Sequence, residues 1–169
     1  EDRYFRYHPG FNPVALIRAA WIGFRTGTFR SGGSTIPMQI ARGLTPRERT
    51  VWAKSLEILR AIQLTATHSK DEVLEIHLNS VPMGGNIEGV GAASFFYFGK
   101  SAKELSAAEA LFLVGIPNSP TRNRPDTRPD AATRQFRKVL ARVGREIGLD
   151  PSAPDVRIKE FRVARRENP

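Results

Sequence analysis

Residues 45–67 read TPRERTVWAKSLEILRAIQLTAT, and this stretch decides the fold class. Thr45-Pro46-Arg47-Glu48 has the form of a capping box with proline in the first turn, which predicts a helix running to about Thr67. Lys54 and Glu57 stand at i and i+3 and so share a face, and Arg49 precedes Lys54 by about one turn. Ala61 continues that face with a small residue, leaving room beside the pair. For an isolated Lys/Glu pair a surface salt bridge is the commoner outcome.

Outward from this helix the chain repeats the same grammar. Asn12-Pro13 is an N-cap followed by proline at the first helical position. Val14, Ile17, Trp21 and Phe24 then recur at helical spacing, while Ala15, Leu16, Ala19 and Ile22 make the other side apolar as well. Such a helix over 13–24 is either buried or seated in a membrane interface. Ser69 with Glu72, and Ser106 with Glu109, form further capping boxes, for a helix through about His77 and for the apolar run Ala110–Val114. Ala92–Phe98 reads as helix ended by Gly99. Phe136, Leu140, Val143 and Ile147 mark a last amphipathic helix that stops at Gly148. Residues 80–91, with four glycines and a proline, read as loop, and the four prolines within 116–129 as a rigid extended connection. No stretch alternates as a strand would. The expected class is mainly α.

The 169 residues fit one domain with a tail, long enough to bury about 70% of its unfolded surface. There is no cysteine, so disulfides, thiol nucleophiles and iron–sulfur clusters are excluded. The three histidines, His8, His68 and His77, are too scattered for a metal cluster, and each reads as packing or surface. No apolar run reaches the roughly 18–20 residues of a membrane span. The chain opens on Glu1, from which we expect a removed N-terminal anchor or signal. The net charge is +9, with ten Lys/Arg against four acids in 1–60, three against six in 61–121, and thirteen against seven in 122–169. Such a balance attracts nucleic acid, anionic membrane or a phosphorylated ligand, and composition does not choose among them.

Two more segments carry candidate chemistry. Glu1-Asp2-Arg3 sets two acids beside an arginine. Gly32-Gly33-Ser34-Thr35 places backbone N–H groups and two hydroxyls at a helix start, either a plain N-cap or an anion cradle.

The order of these segments adds what none gives alone. EDRYFRYHPGFN (1–12), GGSTIPMQIAR (32–42), Arg49-x4-Lys54-x2-Glu57, KDEVLEIHLNSVPMGGNIEGVGAASFFYFGK (70–100) and LSAAEALFLVGIPNSPTRNRP (105–125) together resemble glycosyltransferase family 51, the peptidoglycan polymerases of class A penicillin-binding proteins and monofunctional transglycosylases. Met38-Gln39-Ile40-Ala41-Arg42 and Asn123-Arg124-Pro125-Asp126 look most like the C-type bifunctional members. The resemblance implies a lysozyme-like helical domain over 1–147, with a deep cleft between a head lobe and a small membrane-dipped jaw at roughly 13–31. Residues 148–169 then form a tail toward a following domain, and the catalytic domain is N-terminally truncated.

It also implies an inverting transfer. The growing glycan leaves its undecaprenyl pyrophosphate and joins the 4-hydroxyl of the acceptor GlcNAc of lipid II. In this resemblance Glu1 matches the general base and Glu57 the second essential glutamate, which helps position the pyrophosphate or a divalent ion (Mg2+ or Mn2+) bound to it. Asp2 and Arg3 match the support of the base. Ser34, Thr35, Gln39, Arg42, Arg49 and Lys54 match substrate-binding positions. No organic cofactor is implied. The implied partners are lipid II, the growing chain, the bacterial cytoplasmic membrane on its outer face and a transpeptidase domain in the same chain, with no nucleic acid; the implied inhibitor is moenomycin. The chain departs from the family pattern at Pro37, Met38, Ala53 and Thr65, and Ala53 removes an arginine that would offer a phosphate contact. A lytic transglycosylase is the nearest rival, faintly echoed in Met38-Gln39, and a non-catalytic membrane or nucleic-acid binder the next, on the basic tail 122–169; no nucleic-acid-recognition signature accompanies that tail.

Overall fold

The computed structural model describes residues 2–27, 33–44 and 50–149. Seven α-helices occur among them: α1 (Pro13–Thr26), α2 (Ile36–Leu44), α3 (Val51–Thr67), α4 (Lys70–Ser80), α5 (Val90–Phe98), α6 (Ala107–Gly115) and α7 (Pro129–Val143). Short 3₁₀ turns stand at Ala102–Glu104 and Gly144–Ile147. Among the described residues the only β pairing is an isolated Pro82–Glu88 bridge, so the mainly α expectation holds. The chain divides into two compact units, Glu1–Ser80 and Val81–Pro169.

In the first unit α2 packs against α3 and α4 around Phe5, Ile40 and Val73. The helix starts follow from side-chain chemistry. Asn12 accepts from Ala15 N–H at 3.1 Å at the head of α1. Ser69 and Glu72 exchange the two bonds of a capping box at α4. At α3 the observed cap is Thr50, which accepts from Ala53 N–H at 3.0 Å. The box expected at Thr45–Glu48 lies outside the described residues. The helix ends at Thr67, where the periodicity put it.

Within this unit the apolar surface of α1 is not packed. Val14, Ile17, Trp21 and Phe24 are exposed, and Gly23 is the only buried residue of the helix. The side that does pack is the small one: a Cβ at Gly33 would lie 2.8 Å from Ala19 Cβ, so glycine there lets the chain close on α1. No described helix is long and apolar enough to cross a membrane.

The second unit is built on α5, α6 and α7. Leu111, Phe112 and Leu113 of α6 pack with Tyr97 of α5 and with Phe136 and Leu140 of α7. The Ser106–Glu109 capping box forms as read, as does the stop at Gly148. Ser101 and Glu104 make another box that the sequence reading passed over. Segment 116–129 is not extended. Ser119 N–H donates to Ile116 O, Arg122 N–H to Ser119 O and Arg128 N–H to Arg124 O, a run of turns. Proline's fixed φ of about −65° serves turns as readily as extended chain, and Asn123 anchors this run by donating to Gly115 O at 3.1 Å.

Candidate active site

The site lies wholly in the first unit and is assembled from three segments. Glu57 projects from α3 with its side chain largely buried, 16% exposed. Its Oε1 accepts from Arg42 Nε at 2.9 Å, and its Oε2 from Arg42 Nη2 at 3.1 Å and Lys54 Nζ at 2.8 Å. Arg42 comes from the last turn of α2, so the fork that grips Glu57 is a tertiary contact. Ser34, just before α2, accepts from both cations on its Oγ, from Arg42 Nη2 at 3.0 Å and Lys54 Nζ at 2.8 Å. Two ammonium-type donors occupy the hydroxyl's acceptor sites, which leaves its own proton to be donated outward.

The electrostatics follow from that geometry. Burial pushes the Glu57 carboxyl up, but the hydrogen bonds from Arg42 and Lys54 outweigh it and hold the group below the usual carboxylate range. Arg42 is raised in turn, chiefly by its bond to Glu57. Two cations and one carboxylate leave the cluster with a net charge of +1, turned toward solvent on the Arg42 side.

The first block holds this arrangement from behind. Gly10 N–H donates to His8 Nδ1 at 3.2 Å, so the neutral ring carries its proton on Nε2 and donates it to Asp2 at 3.0 Å. Asp2 Oδ2 also accepts the N–H of Ile36, the first residue of α2, at 3.0 Å. Thr35 donates to Gly10 O at 2.6 Å and accepts from Met38 N–H at 3.4 Å. Lys70 donates to His8 O at 2.6 Å and sits over the Phe5 ring, and burial lowers its ammonium despite the pull of Asp2.

Of the expected site residues, the structure brings together Ser34, Arg42, Lys54 and Glu57. Gln39 is half-buried one turn before Arg42 on α2. The Asp2 carboxylate, expected to support the base, accepts from His8 and from Ile36 N–H, and the hydroxyl of Thr35 is engaged by Gly10 O and Met38 N–H. Arg3 is exposed and joins no ion pair among the described residues. Glu1 and Arg49 lie outside the described residues. The room expected beside Ala61 is filled. Gly10 presses on it with φ +107°, and a Cβ there would lie 2.4 Å from Ala61 O. His8 and Lys70 went unread as parts of the site. No local pattern marks them, since their partners are backbone groups and a carboxylate brought near only by folding.

A fold of packed helices carrying one gripped glutamate and two converging cations has the parts of a glycosyl-transferring enzyme, and comparison with known proteins agrees. The transglycosylase family model matches residues 1–144, and the chain belongs to that family. It is 46% identical over 143 residues to penicillin-binding protein 1C of Escherichia coli (strain K12), covering 85% of this chain and 19% of that protein. It is 37% identical over 169 residues to penicillin-binding protein 1A of Aquifex aeolicus (strain VF5), covering 99% of this chain and 23% of that one. The solved structure of penicillin-binding protein 1A from Haemophilus influenzae aligns at 26% identity and a TM-score of 0.45, over 67% of this chain and 14% of that one. The chain spans about a fifth of the length of these relatives. It is thus a transglycosylase domain of the class A penicillin-binding protein kind, more similar to the 1C relative than to the 1A relative.

Proposed function

We propose that this domain polymerises lipid II into glycan strands, with the Ser34–Arg42–Lys54–Glu57 cluster holding the donor's pyrophosphate. The observation that carries the reading is the convergence of two cations on one hydroxyl, with a single carboxylate to balance them. Such a cluster suits a dianionic leaving group, whose charge grows as its bond to the sugar breaks. A lytic enzyme, which expels a sugar hydroxyl, has no comparable charge to meet. Glu57 orients both cations, and Ser34 donates its proton to a phosphoryl oxygen.

Glu1 takes the proton of the acceptor GlcNAc 4-hydroxyl as that oxygen attacks C1 of the donor MurNAc. The C1–oxygen bond to the lipid pyrophosphate breaks on the opposite face, with inversion. Asp2, held by His8 and Ile36 N–H, fixes the backbone next to Glu1. Arg3, Gln39 and Arg49 complete the substrate contacts.

A resident metal does not fit the donor set. Glu57 already accepts three hydrogen bonds from cations, and the described residues contain no group of three acids or histidines able to hold an ion. A Mg2+ or Mn2+ ion belongs to the substrate's pyrophosphate in this reading. Residues 1–147 form the catalytic domain and 148–169 a tail toward a transpeptidase domain. The exposed face of α1 seats the jaw in the outer face of the bacterial cytoplasmic membrane.

The test is labelled lipid II offered to the full-length protein. The parent should lengthen it into glycan, and Glu1→Gln should still bind it without turnover. Shortening of preformed glycan, with no polymer from lipid II, would instead identify a lytic enzyme.

A further inference from the structure

The second unit carries a charged surface that the transfer reaction does not use. On α7, Ala132, Phe136 and Leu140 are buried, and the opposite side presents Arg134, Arg137, Lys138 and Arg142, all exposed. At 100° per residue these four cations fall within a sector of about 140° and along about 12 Å of helix. Arg145, in the 3₁₀ turn that follows, prolongs the row. None of the five forms an ion pair with a described residue, and no acid lies between positions 131 and 145. At the start of the helix a cavity of about 340 Å³ is lined by Arg122, Arg128 and Arg134 together with Thr127 and Asp130. Cations held side by side repel one another, so the row stores a charge that an anionic surface relieves.

We infer that the exposed face of α7 is a docking surface for anionic phospholipid headgroups, with the Arg122–Arg128–Arg134 cavity receiving one phosphate. Guanidinium groups grip phosphate oxygens in pairs, and four of the five cations in the row are arginines. The row itself offers no aromatic side chain for a base to stack on, because Phe136 points into the core, and this disfavours a single-stranded nucleic acid. α1 differs in composition, with Val14, Ile17, Trp21 and Phe24 exposed alongside only two cations, Arg18 and Arg25.

The experiment is co-sedimentation of the full chain with phosphatidylcholine vesicles, with and without phosphatidylglycerol. Each basic residue near an anionic surface contributes about 1 kcal/mol, roughly five-fold in partitioning. Arg137→Gln/Lys138→Gln/Arg142→Gln should therefore lose about a hundredfold in binding to the anionic vesicles and nothing on the neutral ones. Arg137→Gln and Arg142→Gln alone should each lose about five-fold, which keeps the test sharp if the triple variant does not fold. Raising the salt concentration should erase the difference between parent and variant. Equal partitioning of parent and variants on anionic vesicles overturns the inference. So does displacement of the parent by inorganic phosphate at matched phosphate concentration, or tighter retention of a single-stranded oligonucleotide than of the vesicles.

Discussion

Replacing Glu57 by glutamine separates the structural from the catalytic meaning of the cluster. The change keeps size and shape and removes the charge. Glu57 now accepts three hydrogen bonds, one on Oε1 and two on Oε2. Glutamine has one oxygen and one NH2 group, so whichever way the amide turns, at least one donor of Arg42 or Lys54 faces another donor. Contacts to charged groups are worth about 1.5–3 kcal/mol each when protected. Arg42 is 50% exposed and Lys54 34%, so solvent screening brings the stability cost to about 1–2 kcal/mol, a fall in Tm of roughly 3–6 °C for a chain of this size.

The expected loss of turnover is much larger. If the two cations must be presented together to the leaving pyrophosphate, misplacing either costs at least about a hundredfold, near 2.7 kcal/mol of transition-state stabilisation. Thermal denaturation and lipid II polymerisation on the same preparation give both numbers. A variant that melts a few degrees low and polymerises at close to the parental rate would refute the reasoning, and Glu57 would be a structural counter-ion alone.

The remaining predictions concern the supports of the site. The Glu57 carboxyl is held below its ordinary value, so its stabilisation is complete above about pH 4.3 and is lost as pH falls through the lowered folded value. The difference in Tm between the parent and Glu57→Gln should therefore shrink as pH is taken from 6 to about 3, and a constant difference would contradict the ion-pair account. Gly10→Ala should cost several kcal/mol in urea denaturation, because the new methyl meets Ala61 O at 2.4 Å and φ is +107°. Trp21→Ser with Phe24→Ser should leave Tm nearly unchanged, since those residues are 62% and 84% exposed, and should weaken binding to neutral vesicles. A large fall in Tm would return α1 to the core.

What the sequence made legible was what is local. Capping boxes at Ser69–Glu72 and Ser106–Glu109, the Asn12-Pro13 start and the glycine stops at 99 and 148 all appear because each signal and its effect lie within one turn. The i, i+3 relation of Lys54 and Glu57 is of the same kind. The grip of Arg42 on Glu57 spans 15 residues, the bond from Ile36 N–H to Asp2 spans 34 and that from Lys70 to His8 O spans 62, and no periodicity announces them. Segment 116–129 misled for a related reason: proline fixes φ and leaves ψ to be set by its neighbours, here Asn123 and the carbonyls it meets.

The four departures from the family pattern acquire a physical reading once placed. Pro37 stands in the first turn of α2, where its missing N–H has no helical acceptor to lose. Met38 is fully buried and fills the space under that turn. Ala53 is 7% exposed, so its Cβ faces inward from α3 while Lys54, the next residue, turns toward Ser34. The Thr65 hydroxyl lies 2.9 Å from both Pro9 O and Ala61 O, so its one proton is shared between the first block and its own helix, and an ionised acid would have no proton to offer either carbonyl. Pro37, Met38 and Thr65 thus fall on packing or on the seating of a backbone. The second cation beside Lys54 on Ser34 is Arg42. It enters from α2, and α2 is held at its first residue by the carboxylate of Asp2, the neighbour of Glu1. One chain of contacts therefore runs from the residue beside the proposed base to the cation that grips Glu57, which is why changes at Asp2 or His8 should disturb both ends of the reaction together.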